Sequence, residues 1–353
     1  MRRNIFRIGI ALAILITIIS ACGTNSLITA NDTLINSDSI INKDEFLFFN
    51  GNLTGYNGTE TNIIIPSQIN DIPVRIIGIK AFENKRLVSL VIPNGITTIG
   101  DDAFRNNNLT GIIIPDSITI IGNRAFRNNQ LTNIIIPNSV VTINNSAFSN
   151  NYLKSVILPD NITNIGIGAF FNNQLTSIEL PDSVTIIGNA AFHRNKLSDI
   201  IISNNVTEIG SSAFRENELT SVIIPNSVTH IGSSAFSDNQ LTEIIISDNI
   251  TTIFHSVFSN NKLHTVIIPN SVTFIGNNAF NNNQLTCIII PDSVKFIGTN
   301  AFTNNPLTNI TIGENVVMDF NSFDNDFMRF YNAENNSRSG TYIFDNNRWK
   351  YLQ

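Results

Sequence analysis

"IGSSAFSDNQLTEIII" (Ile231 to Ile246) and "IGNNAFNNNQLTCIII" (Ile275 to Ile290) are nearly the same phrase, written 44 residues apart. Their phenylalanine recurs at Phe82, Phe104, Phe126, Phe148, Phe170, Phe192, Phe214, Phe236, Phe258, Phe280 and Phe302, at intervals of 22 residues with no insertion. Around each Phe the same columns return: Leu five residues later in all eleven copies, Asn three later in ten, Pro eleven later in eight, and Gly four earlier in nine. Lys85 stands in for the first Asn, and Asn144 and Phe254 for two of the glycines.

Such a short unit cannot bury its apolar face alone, but it can when stacked on copies of itself, so the period predicts a solenoid rather than globular domains. In each unit a short β-branched stretch such as "LTSVIIP" (Leu219 to Pro225) reads as a strand that ends at a proline unable to donate to a ladder. "VTHIG" (Val228 to Gly232) reads as a second, shorter extended segment. "SSAFREN" reads as a bend or a single 3₁₀ turn, with Ala and Phe inward. The recurrent Asn then forms a ladder satisfying buried loop amides coil by coil.

Strand alternation puts Leu219, Val222 and Ile224 in the core and Ser221 and Ile223 outside. Run along the array, one outward column is small and polar, with Asp199, Glu243 and Cys287 among its members. The other reads Val91, Ile113, Ile135, Ile157, Glu179, Ile201, Ile223, Ile245, Ile267, Ile289 and Thr311. With coils about 4.8 Å apart, that column predicts an apolar stripe roughly 45 to 50 Å long. A stripe of this size marks an interaction surface. Two plainer readings compete with it: isoleucines satisfying β propensity on a pleated face, or a register in which the column is core. Glu179 favours exposure, because an unpaired buried carboxylate is costly.

Both ends depart from the array. "MRRNIFRIGIALAILITIISAC" has Arg2, Arg3 and Arg7, then an apolar run from Ile8 to Ile19, and reads as a signal peptide. Ile19 to Cys22 resembles a bacterial lipobox, which implies cleavage before Cys22, its lipidation, and a membrane tether for a chain lying outside the cytoplasm. Residues 22–43 are the lipidated cysteine and a polar linker. Removal of the three arginines takes the formal charge from -6 to -9, a poor balance for nucleic-acid binding. With Cys22 acylated, Cys287 has no partner for a disulfide within the chain.

The unit "LTSVIIPNSVTHIGSSAFSDN" resembles the repeat of the BspA-like (Treponema pallidum-type) bacterial leucine-rich repeat surface proteins, and the likeness covers roughly three quarters of the chain. Gly51 to Phe82 is similar to the degenerate first unit of that family, with "INDIPV" lengthening a turn; residues 44–82 read as this unit together with an N-terminal capping region, whose aromatics between Asp44 and Tyr56 would cover the first coil. The resemblance implies a right-handed, curved leucine-rich repeat solenoid of about eleven coils. A parallel β-sheet would line one face and short β or 3₁₀ segments the other. It also implies a cell-surface location and attachment to host or neighbouring-cell proteins. The column usually Cys in the family is Asn here, and the period is 22.

No catalytic, metal or cofactor site is expected. His193, His230, His255 and His264 occupy different columns, and no carboxylate or Cys recurs with them at ligand spacing. "GIGAF" (Gly166 to Phe170) is the repeat's own turn, not a dinucleotide loop. Cys287 reads as an incidental exposed thiol. Phe274 and Phe296 share a column and should stack, as a contact patch or as a widened core. After residues 83–313, the 22-residue repeats, the pattern decays: Gly313 replaces Pro and Phe323 arrives one residue early. Residues 314–353 hold the only Trp, Trp349, among Phe327, Phe330, Tyr331, Tyr342 and Phe344. They read as an aromatic C-terminal cap, or as a small basic recognition element through Arg329, Arg338, Arg348 and Lys350.

The sequence thus points to a lipid-anchored, non-catalytic surface protein that binds matrix or cell-surface proteins through the strand face. Its ligand-binding residues would be Ile135, Ile157, Glu179, Asp199, Ile201, Ile223, Glu243, Ile245, Ile267 and Ile289. The alternative is an envelope protein that uses the same face for self-association.

Overall fold

A computed structural model describes residues 43–319, 321–334 and 338–352. The signal-peptide and lipobox readings, with nearly all of the linker, lie outside the described residues. The chain divides into two compact units, Met1–Ile162 with Asn173–Ile178, and Thr163–Asn172 with Glu179–Gln353. Both are solenoids of short strands.

In each coil the inward residues are the ones the period selects. Phe104, Leu109, Ile118 and Ile121 in the first unit, and Phe214, Leu219, Val228 and Ile231 in the second, are fully or almost fully buried. Phe82, Phe104, Phe126 and Phe148 stack with centroids 5.3 to 5.5 Å apart. The second unit repeats this from Phe170 to Phe302. Phe323, one residue out of phase, still stacks on Phe302 at 4.9 Å. Packing at the end of the array therefore tolerates a shorter loop as long as an aromatic ring closes it.

The corner around each Phe is a pair of tight turns. In one coil Ala213 N–H donates to Gly210 and Arg215 N–H to Ser212. The turns need left-handed residues two before and two after the Phe, here Ser212 (φ 56°) and Glu216 (φ 54°). Asn fills most of the second positions, such as Asn106, Asn128, Asn260 and Asn282, because its short amide tolerates that conformation. This geometry turns alternate N–H groups toward the next coil: Ser212, Phe214 and Glu216 donate to the carbonyls of Ser233, Ala235 and Ser237.

The predicted asparagine ladder is present. Asn217 Nδ2 donates to the Phe192 and Phe214 carbonyls (2.9 and 3.1 Å), and its Oδ1 accepts from Leu197 N–H (3.0 Å). Asn107, Asn129, Asn151, Asn239, Asn261, Asn283 and Asn305 do the same for their coils.

The conserved spacing of glycine has a steric cause. A Cβ on Gly210 would lie 2.5 Å from Asn189 N, and one on Gly232 would lie 2.3 Å from Ser211 N. The short strands of the second face pair in parallel, as in Glu208–Ile209 with His230–Ile231. Their ladder is interrupted after Ile120–Ile121 and again after His230–Ile231. Those are the two coils where Asn144 and Phe254 replace glycine. At the first, Asn144 Nδ2 donates to the Ile121 carbonyl in place of a backbone N–H (2.6 Å). At the second, the Phe254 ring packs 5.2 Å from His230.

The ends are closed by other means. Strands Phe46–Phe49 and Asn52–Tyr56 form an antiparallel hairpin, and the second of them pairs in parallel with Ile76–Ile77. Phe46 and Tyr56 cover Phe82. "INDIPV" is a tight hairpin, Gln68–Ile69 against Ile72–Pro73, with Asn70 and Asp71 both left-handed. At the other end Gly340–Asp345 adds antiparallel to Asn309–Ile312, and Arg348–Leu352 adds outside it. A short helix, Asn325–Arg329, brings Phe327 against Tyr342 and Trp349. Asp324 Oδ1 accepts from Asn304 N–H (3.0 Å), closing the last corner.

Two substitutions test this scheme. Asn217→Ala leaves three backbone groups without their side-chain partner and should cost on the order of 3 kcal/mol in urea unfolding. Phe254→Gly should restore the amide-to-Ile231 bond and join the two stretches of ladder, slowing exchange of the residue 254 amide by about tenfold or more in hydrogen-exchange NMR.

Candidate functional site: the strand face

Strands Ser221–Ile223 and Glu243–Ile245 pair in parallel with Ser221 opposite Glu243 and Ile223 opposite Ile245. Cys287–Ile290 and Asn309–Ile312 pair in the same register, with Ile289 opposite Thr311. Val222 and Ile244 point inward, so the second outward column faces solvent. Ile201, Ile223, Ile245, Ile267 and Ile289 are 81, 64, 61, 82 and 66% exposed, over five successive coils of the second unit. The register in which this column is core is thereby excluded. Asp199, Glu243 and Cys287 are exposed in the neighbouring column.

The first unit holds its own part of the column. Ile135 and Ile157 lie opposite each other on paired strands Asn133–Ile135 and Ser155–Ile157, with Val91 and Ile113 exposed on earlier coils. Ile157 and Glu179 are half-buried. The column is therefore less exposed at Ile135 and Ile157 than at Ile201 to Ile289.

Sequence reasoning missed exposed apolar residues on the other face, among them Ile79, Ile120, Val141 and Ile167. For Ile79, Val141 and Ile167 the signal was an aliphatic side chain at a column that is polar in the other coils, whereas Ile120 shares its column with Phe274 and Phe296. Phe274 and Phe296 stack at 5.4 Å and are half-buried, with His255 edge-on to Phe274. His230, His255 and His264 are exposed and His193 is half-buried. Among the described residues no group of three His, Cys, Asp or Glu side chains could hold a metal ion, and no helix is long and apolar enough to cross a membrane.

Charge is concentrated at the corners rather than on the strand face. Arg124 makes two bonds to Asp102 (2.9 and 2.8 Å), and Arg105 lies 3.4 Å from the same carboxylate. The Arg124 guanidinium holds the Asp102 carboxyl below its usual range, against the opposing effect of burial. Arg194 does the same for Glu216, which also meets His193.

This arrangement, repeated strand-and-turn coils with a ladder of buried asparagines and a solvent-facing strand sheet, defines a leucine-rich repeat solenoid. The BspA type leucine rich repeat region matches over residues 75–197, 119–240, 168–286 and 229–350, and the chain belongs to that family. A leucine-rich repeat protein from Bacteroides ovatus is similar at 24% identity and TM-score 0.55, covering 76% of this chain and 85% of its own. The pneumococcal vaccine antigen PcpA is similar at 20% identity and TM-score 0.52, covering 77% and 84%. A leucine rich cell surface protein from Faecalibacterium prausnitzii shows 29% identity and TM-score 0.47 over 80% and 95%. Curated proteins yield no match.

A depressed carboxylate contributes stability above its unfolded value, about 4, and loses that contribution as pH falls through the lower folded value. Asp102→Asn keeps a residue that accepts the left-handed conformation while removing the charge. The melting temperature of the variant should therefore fall less than that of the parent below about pH 4, and the two should differ most near neutral pH.

Proposed function

We propose that this is a non-catalytic surface protein that binds other extracellular proteins, of matrix or neighbouring cells, through the strand face of its solenoid. The observation that carries the reading is the run of five exposed isoleucines on successive coils of the second unit. Isolated surface aliphatics are ordinary, but an aligned row is an unusual expense of apolar exposure for a soluble face. Strand pairing holds Ile223, Ile245 and Ile289 of the row in place before any partner arrives, which lowers the ordering cost of binding. Asp199 and Glu243 flank it, so the complementary partner surface is apolar with a basic rim.

Lipidation of Cys22 and residence outside the cytoplasm belong to the same reading and rest on the sequence from Met1 to Cys22. A tethered solenoid has its affinity spread over several coils, so no single side chain dominates.

The test is binding of the full chain, in mild detergent with Cys22→Ser, to immobilised fibronectin and fibrinogen, beside a variant carrying Ile223→Lys, Ile245→Lys and Ile267→Lys. All three sites are exposed, so circular dichroism of the variant should match the parent. Binding should fall by at least about tenfold, equivalent to roughly 1.4 kcal/mol. Self-association of the parent that the variant loses, with no matrix binding, would instead make the face an assembly surface.

A further inference from the structure

The C-terminal cap encloses a cavity that the strand-face reading does not use. It measures about 150 Å³ and lies between the last coil, the Asn325–Arg329 helix and the terminal hairpin. Its walls are of two kinds. Phe327, Phe344 and Trp349 form an aromatic cluster, with Trp349 4.9 Å from Phe327 and 5.4 Å from Phe344 between ring centroids. Asp324 and Asp326 complete the lining from the start of the helix. Phe344 and both aspartates are exposed, so the cavity opens to solvent.

The lining is mixed, with two carboxylates beside the aromatic and aliphatic side chains. Here Leu307, the last leucine of the repeat column, is half-exposed at the cavity wall, whereas Leu285 and Leu263 in the preceding coils are fully buried. Asp324 has a structural task, accepting the Asn304 N–H. Asp326 lies in the first turn of the helix, where a carboxylate favours the helix N-terminus, but no cation among the described residues lies within ion-pairing distance to neutralise it. Aromatic faces attract a cation through their quadrupole, and a carboxylate at the rim supplies both charge and a hydrogen-bond acceptor.

We infer that this cavity is a recognition pocket for one cationic side chain, lysine or arginine, of a partner protein. The aromatic wall alone would equally take a quaternary ammonium group. The carboxylate favours an ammonium or guanidinium, which carries N–H donors for it. The pocket is separate from the isoleucine row and does not depend on it.

Trp349 is the only tryptophan in the chain, so its fluorescence reports the pocket directly. The full chain would be titrated with Nα-acetyl-lysine methylamide and Nα-acetyl-arginine methylamide. Nα-acetyl-norleucine methylamide and tetramethylammonium serve as comparisons. A saturable change with at least one of the two cationic amides is expected, with the neutral norleucine compound about fivefold weaker or worse. Asp326→Asn, on an exposed helix position, should weaken the cation about fivefold while leaving circular dichroism unchanged. The triple isoleucine variant should respond like the parent. Absence of a saturable change, or an equal response to norleucine, would overturn the assignment. Tightest binding by tetramethylammonium without dependence on Asp326 would also overturn it, in favour of a headgroup-type ammonium.

Discussion

The asparagine three residues after each phenylalanine is the constraint on which the rest of the structure depends. A solenoid corner buries backbone amides and carbonyls that neither a helix nor a strand can satisfy, and each left unpaired costs on the order of 1 to 3 kcal/mol. One side-chain amide, such as that of Asn239, meets three such groups, one in its own corner and two in the preceding coil. Because its reach is fixed, the loop that carries it cannot lengthen. That is a physical reason for eleven repeats without an insertion.

The glycine column adds the opposite kind of constraint, an exclusion. Backbone atoms of the neighbouring coil occupy the place where a Cβ would sit, as at Gly188 and Gly298. Where Asn144 and Phe254 break the column, the ladder stops, yet Phe148 and Phe258 remain fully buried. The second face is thus expendable in a way the phenylalanine core is not. Phe323 makes the same point at the end of the array, keeping its stack although its loop is one residue short.

Most of this fold was legible because a repeat samples each structural position many times. The inward columns, the asparagine ladder, the Phe274 and Phe296 stack and the solvent-facing isoleucines all follow from alternation and period. What could not be read is geometry that needs two elements from outside the repeat. The cavity beside Trp349 exists because a short helix and a hairpin meet the last coil, and Asp326 has no counterpart in any repeat. The asparagines at left-handed positions two residues after the phenylalanine, the half-buried Asn106 and Asn128 among them, form a column whose role the sequence alone did not disclose. Their role is conformational, and their bond to each other (2.7 Å) follows from it. The uneven exposure of the strand-face column was also hidden, since Ile135 and Ile223 are the same residue in the same column.

The bonds that join one coil to the next span 20 to 25 residues, whichever coil is considered. The entropy of closing each loop is therefore the same all along an array, and it does not grow as coils are added. Sequence separation relative to chain length, the quantity that slows the folding of ordinary β proteins, falls instead as the chain lengthens. A stack of this kind can begin at any pair of coils and grow from both sides, so the gain or loss of a whole 22-residue unit changes how far growth proceeds and leaves the kinetic difficulty of starting unchanged.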